Sequence, residues 1–570
     1  MTEEKKKAKT GGDLLVQALV NENVRFIFGV PGGQLLPIYD AIYQWGREQG
    51  IDTIMMRHEQ AAAHAADAWA RVTGTIGVCM GTVGPGATHM LPGVATAWSD
   101  SIPVLVITPQ VTLDQMDTGF LQGDLDQLTI YRPVVKYQKQ IIQRERIIEY
   151  VQKAFREAYS GRPRPVHLDI PAEILAGTTD KVIACPEPCH YRSLSHPSGD
   201  PRLVEQAVMA LLNAEKPLVV AGGGIISAKA EPELQEFVEY LKIPLTASVM
   251  GSSGILKGTS CYVGGPGIIA APIQKALTET DLVLALGARF GLSLGFGKAP
   301  LWPENLSVIQ IDIDPAEIGK NRPVSLGIPG DCKLVLQQML ELVKRQKEKV
   351  EEESDWLKSL KEARNKYWAS KQKLLTSDKV PIRAERLIYE IIQFLDEDAI
   401  VIVDGGDIAA YAFEQIQMDT PRKLLQAAGM GHLGTSLPYC LGAKLAAPNR
   451  QVCAISGDGS IMINIQELET AKRYNLPFIC VVANNSCWGM IKSGQKFAYK
   501  KRFIDVDFSP TNFGTIAQGF GCYGEQITEP AEIRPALQRA RDSNLPAIVD
   551  VVIEFTTPDT TKLGISIGML

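Results

Sequence analysis

The apolar run Val452-Cys453-Ala454-Ile455-Ser456 stops at Gly457-Asp458-Gly459, and a second apolar run, Phe478 to Ala483, ends in Asn484-Asn485. A carboxylate at one strand end and an amide oxygen at a neighbouring one are hard oxygen ligands. They suit Mg²⁺ or Ca²⁺ and leave other coordination positions for phosphate oxygens. Glycines flanking Asp458 let the backbone come close to a ligand. Either piece alone reads as a turn or a polar loop. Together, at two predicted strand ends, they point to a site for a cation and a diphosphate.

The elements that must position these groups follow from the same residues. Both runs are short, apolar and bounded by breakers, which predicts buried strands of a parallel sheet with Ile463 to Tyr474 as the helical crossover. Ligands collect beyond the carboxyl ends of such strands. Earlier in the chain, Phe26 to Val30 closes at Pro31-Gly32-Gly33, and Thr53 to Met56 runs into Arg57-His58-Glu59. Glu59 opens an alanine-rich helix suited to close packing, and locally a carboxylate there is a favourable charge-dipole arrangement. Leu218 to Ala221 enters Gly222-Gly223-Gly224, and Leu282 to Leu286 enters Gly287-Ala288-Arg289. Neither of these two turns carries a full Gly-x-Gly-x-x-Gly, which argues against a dehydrogenase. Ile400 to Asp404 leads into Gly405-Gly406-Asp407, a loop whose N–H groups could cradle a diphosphate, although the Asp407 carboxylate is out of keeping beside phosphate.

With 570 residues, 45% hydrophobic and 21% charged, the composition is that of a soluble globular protein of several domains. A net charge of -6 argues against nucleic acid as the main partner, and no apolar run suggests a membrane span. The charged start lacks a signal-peptide core, and the cysteines are scattered inside apolar segments without zinc-type pairing, so a reducing cytoplasm is expected. The expected organisation is a disordered tail over 1–10, a domain over 11–185, a Pro/Ser-rich linker over 186–200 and a second domain over 201–343. A charged helical linker over 344–380, a third domain over 381–555 and a C-terminal tail over 556–570 complete it. Strands alternating with amphipathic helices in each piece predict an α/β protein of three doubly wound parallel-sheet domains.

Phe28-Gly29-Val30-Pro31-Gly32-Gly33, Arg57-His58-Glu59-Gln60-Ala61-Ala62-Ala63-His64, Gly84-Pro85-Gly86-Ala87-Thr88 and Ile309 to Asn321, with Gly457-Asp458-Gly459 and Asn484-Asn485, resemble the thiamine diphosphate enzymes of the acetolactate synthase superfamily. The resemblance covers about residues 10 to 555. It implies a pyrimidine-binding N-terminal domain, a central Rossmann-like one and a C-terminal diphosphate-binding one, with thiamine diphosphate and Mg²⁺ as cofactors. It also implies that Glu59 hydrogen-bonds the cofactor's aminopyrimidine, turning a binding site into a carbanion-generating one. Gln122 and Gly33 are then catalytic. Pro31, Gly32, Pro85, Gly406, Asp407, Gly431, Leu433, Gly457, Gly459, Ser460, Trp488, Gly489 and Met490 bind cofactor, and Asp458, Asn485 and the Cys487 carbonyl hold the metal. In the central domain the resemblance implies FAD or, as in some relatives, ADP, a CoA nucleotide or nothing, with Gly222, Gly223, Gly224, Arg289, Asp312 and Asp331 as contacts. The glutamate and the diphosphate site belong to different subunits in this family, so a homodimer or homotetramer with shared active sites is expected. His64 and His89 are read as satisfied structural residues.

The implied reaction is carboligation of two pyruvates to 2-acetolactate with loss of CO₂. The chain departs from that pattern at Leu121, where the family has phenylalanine, at Leu433, where it has methionine, and at Ser493-Gly494, where it has Gln-Trp. Loss of the indole leaves a larger or differently filled acceptor pocket. Trp488-Gly489, Phe503 and Thr108-Pro109-Gln110 are similar to sulfoacetaldehyde acetyltransferase, the Trp-Gly pair also to benzaldehyde lyase, and 2-hydroxyacyl-CoA or oxalyl-CoA lyases share the plan. A non-catalytic regulatory homologue is the reading of another class, against which Glu59, Asp458 and Asn485 stand together.

Overall fold

The computed structural model describes residues 8–265, 271–416 and 423–566. Three six-stranded sheets, parallel at every pairing, carry the chain. The first comprises β1 (Phe26–Gly29), β2 (Asp52–Met55), β3 (Gly77–Met80), β4 (Val104–Gln110), β5 (Tyr137–Gln140) and β6 (Val166–Pro171), in the order β2-β1-β3-β4-β6-β5. After β2 comes α1 (Glu59–Thr73), and after β3 comes α2 (Pro85–Asp100).

The second sheet holds β7 (Pro217–Ala221), β8 (Leu245–Ala247), β9 (Tyr262–Gly264), β10 (Leu282–Leu286), β11 (Ser307–Asp312) and β12 (Leu326–Pro329). Its order, β9-β8-β7-β10-β11-β12, reverses direction between β7 and β10, the Rossmann arrangement. Two helices follow it, α3 (Cys332–Gln346) and α4 (Asp355–Leu375). The charged stretch expected as a linker begins inside α3. In α4, Trp356, Leu357 and Leu360 join the central core, so this helix is charged on one face only.

The third sheet holds β13 (Ile400–Asp404), β14 (Lys423–Leu425), β15 (Val452–Gly457), β16 (Ile479–Asn484), β17 (Tyr523–Ile527) and β18 (Ala547–Val552), in the order β14-β13-β15-β16-β18-β17. This is the order of the first sheet, strand for strand. Its helices include α5 (Asp407–Gln415), α6 (Ser436–Ala446), α7 (Glu467–Arg473), α8 (Gly489–Phe497) and α9 (Asp559–Ser566). The strands β13 and β16 are buried end to end, and β15 up to Ser456, because runs such as Ile400-Val401-Ile402-Val403 carry β-branched side chains on both faces.

The first and third sheets share a core. Alanines of α1 pack against α6 so closely that a Cβ on Gly442 would stand 2.3 Å from the Ala65 carbonyl oxygen. A buried ionic cluster sits at this junction. The Arg71 guanidinium donates to Asp67 at 2.8 Å, to Asp100 at 2.8 Å and to the Gln426 carbonyl at 3.0 Å, and the Tyr439 hydroxyl donates to Asp67 at 2.5 Å. With every charge hydrogen-bonded, burial is tolerable, whereas loss of one partner would strand the others.

The end of the N-terminal tail differs from its sequence reading. Lys9 and Thr10 pair antiparallel with Thr179 and Thr178, and Thr10 caps the helix Gly11–Asn21 in a capping box with Asp13. Two residues are too few to show strand periodicity. The first seven residues of that tail, and the last four of the C-terminal one, lie outside the described residues. Residues 559–566 of the C-terminal tail form α9, whose Thr561 is buried. Among the described residues no helix is long and apolar enough to cross a membrane.

Candidate functional site

Loops beyond the carboxyl ends of the first sheet gather the N-terminal candidates at the switch between β1 and β3. Glu59 is the first residue of α1, 9% exposed, with His58 as the cap that accepts from the Gln60 N–H at 3.1 Å. The chain after β3 crosses over it, and a Cβ on Gly81 would stand 3.1 Å from Glu59 Cγ. Gly32, which follows Pro31, abuts Thr82, where a Cβ would meet the hydroxyl at 2.4 Å. Gln122, held at φ +70°, packs beside Gly84, and Pro85 opens α2. Gly33 faces open space. Glu59, Gln122, Gly33, Pro31, Gly32 and Pro85 therefore form one face.

The C-terminal candidates surround one cavity of about 510 Å³ at the matching switch between β13 and β15. It is lined by Gly406, Asp407, Gly431, Leu433, Gly457, Asp458, Gly459, Ser460, Asn485, Cys487, Trp488, Gly489 and Met490. Pairing of Gly457 with Ala483 brings Asp458 and Asn485 to the same sheet edge. None of the N-terminal candidates lines this cavity. The structure thus assembles two half-sites within one chain and does not join them.

Asp458 carries the clearest signal of a missing ligand. Its Oδ1 accepts from the Gly459 N–H at 2.8 Å, while Oδ2 is buried without a hydrogen-bond partner. Burial pushes this carboxyl up to about 6, against backbone N–H groups that favour its charge. An ionised carboxylate with a buried unpartnered oxygen is costly unless a cation meets it. Asn485 Oδ1 accepts from the Cys487 N–H at 3.3 Å and from its thiol at 3.2 Å, so the amide is turned toward the same loop. This donor set fits a hard divalent cation. Trp488 covers the turn, since a Cβ on Gly459 would stand 2.5 Å from its ring, and that contact requires glycine.

Asp407 also lines the cavity, yet both of its oxygens are engaged. Oδ2 accepts from the Ser493 hydroxyl at 3.0 Å and Oδ1 from the Thr561 hydroxyl at 3.1 Å, tying α8 and α9 to α5. Burial raises this carboxyl to about 6 as well. Its place is to hold the cavity's walls together, which resolves the misfit of an acid beside phosphate.

Two contributors, Asp404 and Glu467, escaped the sequence reading, and a third, His89, was read there as structural. Asp404, at the end of β13, accepts from the Gly434 N–H at 3.1 Å and the Ser436 N–H at 2.9 Å, fixing the loop that carries Gly431 and Leu433. Glu467 on α7 accepts from the backbone N–H groups of Arg57 at 3.0 Å and His58 at 3.1 Å, anchoring the approach to Glu59. His89 on α2 lies with Nδ1 3.1 Å from Glu59 Oε2. An acid ending the run Ile400 to Val403 was a visible signal for Asp404; the other two had none. His64, expected to be satisfied, is fully buried with neither ring nitrogen hydrogen-bonded, and its ring lies 4.8 Å from that of His432.

In the central sheet Gly222, Gly223, Gly224 and Arg289 sit at the switch between β7 and β10, while Asp312 and Asp331 lie at the ends of β11 and β12, and several of these have structural partners. A Cβ on Gly222 would stand 2.1 Å from the Gly287 carbonyl oxygen, and one on Gly224 2.6 Å from Gly287 Cα, so these glycines let two loops abut. Gly223 packs beside Met250. Asp331 caps α3 by accepting from the Lys333 and Leu334 N–H groups, Asp312 accepts from the Asp314 N–H, and Arg289 donates to the Ser99 carbonyl at 3.1 Å.

Comparison with known proteins follows this three-part division. Family models described as thiamine pyrophosphate enzyme match as the N-terminal TPP binding domain over residues 9–130, the central domain over 204–339 and the C-terminal TPP binding domain over 404–551. The chain is 34% identical over 561 residues to a probable acetolactate synthase large subunit of Methanococcus aeolicus, covering 95% of this chain and 92% of that one. It is 35% identical over 555 residues to the acetolactate synthase isozyme 3 large subunit of Escherichia coli, with 96% and 95% covered. It is 36% identical over 541 residues to the acetolactate synthase large subunit of Haemophilus influenzae, with 94% and 92% covered.

Proposed function

The chain belongs to the thiamine diphosphate-dependent enzymes of the acetolactate synthase superfamily, and from that premise we propose that it condenses two pyruvates to 2-acetolactate with release of CO₂. The observation that carries the site assignment is the unpartnered, buried Asp458 Oδ2 in a cavity at the end of β15. Support for the substrate comes from the relatives, whose names are those of acetolactate synthases over nearly the whole chain.

Asp458, Asn485 and the Cys487 carbonyl would hold Mg²⁺, and the N–H groups following Gly406 and Gly457 would face the diphosphate at two helix starts. Thiamine diphosphate, when bound, supplies a carbon nucleophile for carbonyl addition and takes up the electron pair of the broken C–C bond. Gly431 and Leu433 shape the wall against which the pyrimidine would lie, and the Trp488 ring over Gly459 keeps water from the metal loop. Glu59 holds and moves a proton at its carboxyl oxygens. It would do so in the cavity of a second copy, because it does not line the cavity of its own chain, and a homodimer or homotetramer follows from this reading. Exposed apolar side chains near both half-sites, among them Leu121, Met430, Met462 and Ile463, suit burial between copies. Gln122 and Gly33, on the face of Glu59, would contact the substrate.

FAD or ADP at the central switch and a cytoplasmic location belong to the same proposal; yellow protein as purified would support FAD. The test of the activity is release of CO₂ and formation of acetolactate from pyruvate with thiamine diphosphate and Mg²⁺, abolished by Glu59→Gln. Failure with pyruvate, and turnover instead of sulfoacetaldehyde with phosphate or of an oxalyl-CoA or 2-hydroxyacyl-CoA donor, would overturn the substrate assignment.

A further inference from the structure

A carboxyl that exchanges a proton with a bound cofactor in each cycle must be returned to its starting state. Glu59 is poorly placed to do this through water alone. Its side chain is 11% exposed already in the single chain, and a second copy would cover it further. Beside it stands His89, whose side chain is 47% exposed and whose Nδ1 lies 3.1 Å from Glu59 Oε2.

The imidazole is held in place from the other side. Its ring stacks on that of His58, with centroids 4.7 Å apart and planes inclined by 28°. His58 is itself fixed, because its Nδ1 accepts from the Gln60 N–H and its backbone N–H donates to Glu467. A neutral His58 therefore carries its ring proton on Nε2. Burial holds His58 below the ordinary histidine range, reinforced by the neighbouring His89 and opposed by Glu59. Of the other groups nearby, Tyr131 is a buried hydroxyl donating to the Ala87 carbonyl on α2. Among the described residues Glu59 is thus the carboxylate within hydrogen-bond distance of His89.

We propose that His89 is a positioning residue through which Glu59 exchanges its proton with solvent, a step that rests on the reading of Glu59 as the acid facing the cofactor. The Nδ1–H of His89 donates to ionised Oε2. For reprotonation the Nδ1–H bond breaks and an Oε2–H bond forms, while Nε2 takes a proton from solvent and leaves the imidazole neutral. The reverse sequence discharges the acid, so no other reactant is needed.

With seven histidines in the chain, ring-labelled histidine NMR can follow His89 in the full-length apoprotein after assignment with a His89→Gln variant. The bond from Nδ1–H to Oε2 is expected to give a ring N–H signal of His89 on Nδ1 that is protected from exchange in the wild type and weakened in Glu59→Gln. Absence of that signal from the wild type overturns the proposal. In the loaded enzyme, His89→Ala is expected to lower kcat by about tenfold or more with KM nearly unchanged, and added imidazole is expected to restore part of the loss. Retention of wild-type kcat and pH profile by both His89→Ala and His89→Gln overturns this proposal and leaves Glu59 in its role. Full activity in Glu59→Gln would instead overturn the parent reading.

Discussion

The first and third sheets have the same strand order and the same switch point, yet they use that place in opposite ways. Beyond β1 and β3 the loops close on each other, Gly32 against Thr82 and Gly81 against Glu59, and hold a nearly buried acid outside the cavity. Beyond β13 and β15 the loops stand apart around a cavity of about 510 Å³ and present an unpartnered carboxylate inside it. A shared topology therefore says where a ligand would be met and leaves open what meets it. Loop residues decide whether the crevice holds the ligand or supplies a group to a ligand held elsewhere.

The most severe way to break the comparison is to remove each sheet's own acid. Glu59→Gln is expected to reduce turnover by roughly 10²- to 10⁴-fold while thiamine diphosphate with Mg²⁺ still raises the melting temperature. Asp458→Asn is expected to abolish that thermal stabilisation as well. Matching behaviour of the two variants in a thermal-shift titration would erase the distinction between the half-sites.

A smaller effect is expected where the two sheets are joined. Tyr439→Phe removes the hydroxyl that donates to buried Asp67, next to Arg71 and Asp100, and is expected to cost about 1–3 kcal/mol in denaturant unfolding. A cost near zero would show that this cluster does not couple the sheets.

Glu467 reports the same junction through pH. Burial raises its carboxyl to about 7, above the usual carboxylate value. The folded chain then holds this proton more tightly than the unfolded one. This group's contribution to stability accordingly falls as pH rises from about 4.5 to about 7 and is level above that window. Melting temperatures across this range should show a shallower decline in Glu467→Gln than in the wild type.

The smallest change sharpens the cavity side. Gly494 lies inside α8, and a Cβ there would meet nothing within 4 Å. Gly494→Ala is expected to gain about 0.5–1 kcal/mol by relieving the helix of glycine's entropy cost. Any change in KM for the acceptor in that variant would place the open space beside Gly494 on the acceptor's path.

Legibility in the sequence followed the range of the interaction concerned. Strands such as β15 and β16 were readable because apolar runs end at local breakers, Gly457-Asp458-Gly459 and Asn484-Asn485. The start of α1 at Glu59 was readable for the same reason. Glu467 and the role of His89 were not, because each acts by reaching a partner distant in sequence, and nothing in the local residues marks that partner. Asp407 looked misplaced until Ser493 and Thr561 were seen to take both its oxygens. The separation of Glu59 from the cavity was legible only through a family resemblance, since the contact proposed to close it would lie between chains.

Mixed oligomers test this separation most directly. A Glu59→Gln chain and an Asp458→Asn chain, each expected to be inactive alone, can be co-expressed with different tags and the mixed dimer purified. If each site takes its acid from one copy and its metal carboxylate from the other, one of the two sites in the mixed dimer is intact, and about half the wild-type activity is predicted. A mixed dimer as inactive as its parents would contradict the account and place the whole site within a single chain.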